Sequence, residues 1–286
     1  MKIQFLFIQS LLIAFLSLRS GVVSAQTIDF SKASIIVSET INSPVKETAI
    51  RVLQEEVAQR TLINLQLSPK WGKATIVLAT QNDVEINGLT VPKRTGGNLP
   101  ETKAEGFRIC MDQLNGKDIL WLIGADERGV IFAIGQFLRT AELSKNKIIF
   151  DQKNEIATSP AYPIRGHQIG YRNTANSWDS WNPQQFEKYF RELALFGTNC
   201  FENIPFQDGP LGPNMKFDRE FMNTKLSEIC QNYGLDYWVW TPADVDLSDE
   251  SKFKAEVQKH AEFYKKCPRL DGVFFPGGDP GSNHPK

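Results

Sequence analysis

Two hydrophobic rhythms alternate along this chain. Short runs that are apolar at most positions, Ser34-Ile35-Ile36-Val37, Ala74-Thr75-Ile76-Val77-Leu78-Ala79 and Asp118-Ile119-Leu120-Trp121-Leu122-Ile123, read as strands. After the first run Ile50, Leu53 and Val57 recur at helical spacing. Ser43-Pro44 precedes them and predicts a capping serine with proline in the first turn. Asn115-Gly116 between Gly106-Phe107-Arg108-Ile109-Cys110 and the third run is a strong hairpin signal. Asp126-Glu127-Arg128-Gly129 then leads into a helix carrying Val130, Ile131, Ile134, Phe137 and Leu138. This order predicts a small α/β layer domain over residues 26–158.

From Tyr162 onward the rhythm becomes regular. Candidate strands begin near Ile164, Asn199, Asp236 and Gly272, roughly 36 residues apart, the stride of a strand plus a crossover helix. Asn182-Pro183, with Gln185 placed for a capping box, opens the first helix, whose stripe is Phe186, Tyr189, Phe190, Leu193 and Phe196; Gly197 ends it. Asp218 caps the second, with Phe221, Met222, Leu226, Ile229 and Tyr233 before Gly234. Ser248 or Asp249 opens the third, with Phe253, Val257 and Tyr264 facing in. Alternating strands and helices imply parallel strands. The expected fold class is therefore α/β: a small domain over 26–158 and, over 162–286, a partial (β/α)8 barrel of about four strand-helix units. A whole barrel takes about 250 residues, whereas 123 follow Pro163 (286 − 163), so this half is expected to be part of a longer barrel.

The first 25 residues read as a signal peptide. Lys2 precedes a mostly apolar stretch from Ile3 to Leu18, and Val23-Ser24-Ala25 has the small residues of a cleavage site. The stretch is shorter than the roughly 20 residues a membrane span needs, so a secreted or periplasmic protein with no span after cleavage is expected. Export permits disulfides, but Cys110, Cys200, Cys230 and Cys267 form no CxxC pair and read as free thiols.

A formal net charge of −1 leaves no broad basic field for nucleic acid. The six Trp and six Tyr fall mostly from Tyr162 onward and suit stacking on neutral ligands such as sugar rings. His260 and His284 lack a metal-ligand partner at usable spacing, and no phosphate loop, GxSxG or dinucleotide fingerprint occurs, so neither a metal nor another cofactor is expected.

Barrel function gathers at the C-terminal ends of strands. Those ends offer Tyr171, Arg172, Asn173, Trp178, Asp179 and Trp181 in the first unit, and Glu202, Asn203 and Asp208 in the second. The third offers Trp240, Thr241 and Asp244, and the fourth Asp279 within Gly277-Gly278-Asp279-Pro280-Gly281. Two carboxyl groups with aromatic and amide neighbours are what glycoside chemistry uses. Asp279 and Glu202 are the candidate catalytic residues. Arg165, His167, Arg172, Trp178, Asp179, Asn203 and Trp240 are the candidate substrate contacts. Each has a structural alternative: Asp279 as a turn cap, Glu202 in a salt bridge, Arg165 as a tie between domains, His167 as a satisfied core residue, the tryptophans as core.

Glu105-Gly106-Phe107, the hairpin, Gly124-Ala125-Asp126-Glu127-Arg128-Gly129-Val130 and Gln136-Phe137-Leu138-Arg139 together resemble the non-catalytic N-terminal domain of β-hexosaminidases over roughly residues 30–150. Tyr162-Pro163-Ile164-Arg165-Gly166 resembles the first barrel strand of that family, which implies an Arg165 that grips sugar hydroxyls. Gly277-Gly278-Asp279 resembles the fourth-strand Gly-Gly-Asp-Glu motif, which implies that Asp279 positions an N-acetyl group. The Glu that serves there as general acid is replaced by Pro280, which carries no proton to give. The stretches 165–172, Phe196-Gly197-Thr198-Asn199 and 276–281 also resemble a divergent group of secreted glycosidase-like proteins. The expectation is a secreted glycoside hydrolase, or the N-terminal part of one, acting on O-glycosidic bonds of a glycan. The alternative is an inactive relative that only holds sugar.

Overall fold

A computed structural model describes residues 26–93, 102–169, 180–203, 216–243 and 245–275. In chain order the elements are β1 (Thr27–Asp29), β2 (Ser34–Val37), α1 (Val45–Thr61), β3 (Gln66–Leu67), β4 (Ala74–Thr80), β5 (Glu85–Ile86), β6 (Leu89–Thr90), β7 (Phe107–Leu114) and β8 (Lys117–Gly124). There follow α2 (Glu127–Thr140), β9 (Glu142–Ser144), β10 (Lys147–Asp151), β11 (Ile156–Thr158), β12 (Gly166–Gln168), α3 (Pro183–Leu195) and β13 (Cys200–Asn203). The last are α4 (Arg219–Tyr233), β14 (Asp236–Trp240), α5 (Glu250–Lys266) and β15 (Gly272–Phe274). No helix among the described residues is long and apolar enough to cross a membrane.

The N-terminal half centres on a six-stranded sheet ordered β11-β7-β8-β4-β2-β3. β8, β4, β2 and β3 are parallel, and β7 closes antiparallel on β8 through Asn115 and Gly116, both at positive φ, as a two-residue hairpin requires. β4 is buried along its whole length because this sheet is covered on both faces. Ile76, Leu78, Leu120 and Leu122 point to the core shared with α1 and α2, while Val77, Ala79, Trp121 and Ile123 fill a smaller core opposite.

In the C-terminal half the strands run β12-β13-β14-β15, all parallel and in chain order. Local signals set the helices between them. Asn182 and Gln185 form the capping box of α3, Asp218 accepts from the Phe221 amide, Gly234 ends α4 in the left-handed region, and Asp249 caps α5. The main core is continuous through both halves: α1 and α2 lie between the six-stranded sheet and helices α3 and α4.

Three expectations need correction. Ser43 does not cap α1: its hydroxyl donates to the Glu47 carboxylate, and Pro44 occupies the cap position without a side-chain bond. Phe196 is 74% exposed rather than part of the α3 stripe, because the chain leaves the helix there and the Arg139 guanidinium covers the ring at 4.8 Å. α5 is rotated about its axis relative to the expected stripe. Glu256, His260 and Phe263 face in, and Phe253 and Val257 are exposed. Of the inward polar residues, His260 Nε2 lies 3.1 Å from Glu256 Oε1.

Candidate functional site

The parallel sheet has a helix-covered face and an opposite face. Phe201 stacks on Phe190 of α3 with ring centroids 3.7 Å apart, so it points toward the helices. Alternation sends Cys200 and Glu202 the other way. On that opposite face the register sets Gln168, Glu202, Trp238 and Gly272 side by side in one row across all four strands. Trp240 and Phe274 form the next step toward the strand ends.

Within the row Gln168 Nε2 donates to Glu202 Oε1 at 3.2 Å. Burial pushes the Glu202 carboxyl above its ordinary range, and the Gln168 bond opposes this without cancelling it. Trp238 is half-buried and lies against Gly272, where an added Cβ would come within 2.7 Å of the indole. Glycine is thus required there by close approach. Trp240 is nearly buried at 8% exposure. A carboxyl that keeps its proton above the usual range, beside an amide and indoles near the C-terminal ends of parallel strands, can donate a proton or accept a hydroxyl hydrogen bond.

The other sequence-predicted residues are distributed differently. His167 faces the helices: Tyr189 Oη lies 2.6 Å from its Nε2, and Phe201 packs edge-on to its ring. Burial lowers the His167 pKa, which favours the neutral ring beside the Tyr189 hydroxyl. Asn203 also points to the helix side, where it is buried and donates to Asn223 Oδ1 at 2.9 Å and Tyr237 Oη at 3.2 Å. Neither side chain shares a face with Glu202, because both stand one residue out of phase with it along the strands. Arg172, Trp178, Asp179 and Asp279, with Tyr171, Asn173, Asp208, Asp244 and Pro280, lie outside the described residues.

Arg165, expected to grip sugar hydroxyls, precedes the N-terminal end of β12, the end opposite Gln168. Its guanidinium pairs with Glu105 from the N-terminal half and donates to the carbonyls of Gly197 and Tyr162. Glu105 also receives Arg128 and Asn199 Nδ2. Arg128 continues to Asp236 at 2.7 Å, and Asp236 to Arg269 at 2.9 Å. Burial would raise the Glu105 carboxyl, but the bonds from Arg165 and Asn199 and the charge of Arg128 outweigh it and hold it low. A cleft of about 660 Å³, lined by Glu105, Arg128 and Arg269, opens beside this network; the ion pairs there join the two halves of the chain.

The residue pattern gives little sign of Gln168 as the partner of Glu202, because the pairing depends on strand register.

The sequence matches no protein-family model, and no curated protein matches it. Its fold does have solved counterparts. The β-N-acetylhexosaminidase from Bacteroides fragilis NCTC 9343 superposes with a TM-score of 0.59 at 13% identity, over 90% of this chain and 55% of that one. The structure of CpGH84B gives a TM-score of 0.55 at 14% identity, over 87% of this chain and 41% of that one. CpGH84D gives 0.55 at 11%, over 85% and 40%. The chain thus spans about half the length of these structures or less. At such identities the likeness is one of architecture: the chain has a mixed α/β fold like that of these structures.

Proposed function

We propose that this chain is the N-terminal part of a secreted glycoside hydrolase acting on hexosamine-type glycans. In this reading residues 26–158 form a supporting domain, and residues 162–286 form the first half of a (β/α)8 barrel. The observation that carries it is Glu202: a carboxyl with a raised pKa, held by Gln168 and flanked by indoles on the face of a parallel sheet away from its helices. Glu202 acts as the proton donor or acceptor at the glycosidic oxygen, Asp279 positions the substrate's acetamido group, and Trp240 lines the site. Signal cleavage after Ala25 delivers the protein to the periplasm or the exterior.

The test is hydrolysis of aryl N-acetyl-hexosaminides by the complete protein and by its Glu202→Gln variant. A loss of at least about a hundredfold in kcat is expected for removing a general acid-base group; unchanged turnover removes Glu202 from the mechanism. A second reading is favoured by Pro280 standing where an acidic residue would follow Asp279: a relative that holds sugar without cleaving it. Calorimetric binding without product in a parallel hydrolysis assay decides for it.

A further inference from the structure

We propose that a small cleft on the seam between the two halves, bounded by Arg139 and Phe196, binds the carboxylate of a compact, ring-bearing acid. This does not depend on the carbohydrate reading above: the cleft lies by Arg165 at the N-terminal end of β12, away from Glu202.

The cleft holds about 270 Å³, just under the usual range for drug-sized ligands, so it takes about one ring. Phe132, Pro160 and Phe196 give it apolar walls, Arg139 and Arg165 positive charge, and Ser159 a hydroxyl. The charges are out of balance. Arg165 faces Glu105, but Glu105 also serves Arg128. Arg139 meets no carboxylate among the described residues. One of its Nη atoms donates to the Leu195 carbonyl at the end of α3, the other to Gln136 Oε1 at 3.0 Å, and its Nε to no described group. Burial lowers its pKa with no charge opposing the shift, as for a cation that has lost water without gaining a counter-ion. A carboxylate supplies that counter-ion, and its two oxygens match the planar guanidinium fork. Ser159 Oγ accepts from the Lys103 amide at 2.7 Å, which leaves its hydroxyl proton to donate to the same anion. The guanidinium covers Phe196 at 4.8 Å from the ring centre, yet most of that side chain stays exposed. The open part of the ring suits the apolar flank of the acid.

The experiment is calorimetric titration of the protein with glucuronate and benzoate, and with glucose and benzyl alcohol as their uncharged counterparts, at low and high sodium chloride. The parent is expected to bind one of the acids at least about tenfold more tightly than its counterpart, the scale of a charge-assisted hydrogen bond, and more weakly in high salt. The preferred acid tells whether the ring is a sugar or an aryl group. Arg139→Gln is expected to weaken that acid at least about tenfold, and Phe196→Ala about threefold. Losing the Arg139 bond to α3 can itself unfold the glutamine variant. Phe196→Ala then decides, because that side chain is largely exposed, and parent affinity in it overturns the site. A parent that binds neither acid, an uncharged counterpart that binds equally, or a folded Arg139→Gln with parent affinity also overturns it and leaves Arg139 as a cap on α3.

Discussion

Gly135, in the middle of α2, lies against the carbonyl oxygen of Leu195 at the end of α3: a Cβ placed on the glycine would sit 2.0 Å from that oxygen. The contact lets a helix of the N-terminal half approach the first helix of the parallel sheet at backbone distance. It sets two rules against each other. Helix propensity alone predicts that Gly135→Ala stabilises by about 1 kcal/mol. The clash is with backbone that cannot swing away, and overpacking of this kind costs about 1–3 kcal/mol or more. The clash is expected to win, so Gly135→Ala lowers the urea midpoint; a raised midpoint would mean that the two helices part without cost.

A second prediction concerns Glu105, which joins Arg128, Arg165 and Asn199 while its own amide donates to Asp126 Oδ2. Glu105→Gln leaves two arginines without their shared counter-charge at a largely buried seam. A loss of about 3 kcal/mol is expected, the lower end for breaking a buried pair. Denaturant titration measures it, and a change below about 0.5 kcal/mol, the level of an ordinary surface site, would show that the network adds little to joining the halves.

Acid should weaken the same seam. Glu105 and Glu187 both titrate below their ordinary value of 4.5 in the folded chain, Glu105 through Arg165 and Asn199, Glu187 through Tyr233 and Arg191, in each case against the opposing effect of burial. A depressed carboxyl pKa contributes stability that is complete above the unfolded value and is lost as pH falls through the folded value. The melting temperature is therefore expected to hold near neutrality and to drop as pH falls below 4.5. Substituting Glu105 by Gln should flatten that drop; an equally steep drop would remove Glu105 as its source.

Glu202 carries the opposite sign. Burial raises its folded pKa above 4.5, so its contribution to stability is complete below the unfolded value and is lost as pH rises through the folded one. Above the folded pKa the ionised carboxylate is a cost. Glu202→Gln is thus expected to raise the melting temperature at neutral pH while removing activity, the usual exchange at a functional site. Replacing Gln168 by Leu should raise the Glu202 pKa further, because the bond it removes favours the anion; a carbon-13 carboxyl titration reads this directly. A Glu202 that titrates below 4.5 in the parent would remove it as a proton donor near neutral pH.

Local order was legible in the residues themselves. Asn115-Gly116 can close only a tight hairpin. Asn182 and Gln185 satisfy each other's backbone amides, and Gly197 and Gly234 take positive φ where their helices stop. The regular stride placed strand starts at Gly166, Cys200, Asp236 and Gly272 to within two residues of expectation. All these signals act over a few residues, through caps, turns and the period of apolar positions. Which side chains meet was decided only by the tertiary structure. Arg165 and Glu202 both stand at strand ends of the second half, but at opposite ends, and Arg165 turns to Glu105, 60 residues earlier. His167 and Asn203 fall on the helix side and Glu202 on the other because a one-residue phase flips the face of a strand. Gln168, Glu202, Trp238 and Gly272 become neighbours only through strand register, and register is set by packing between segments that the chain holds more than thirty residues apart.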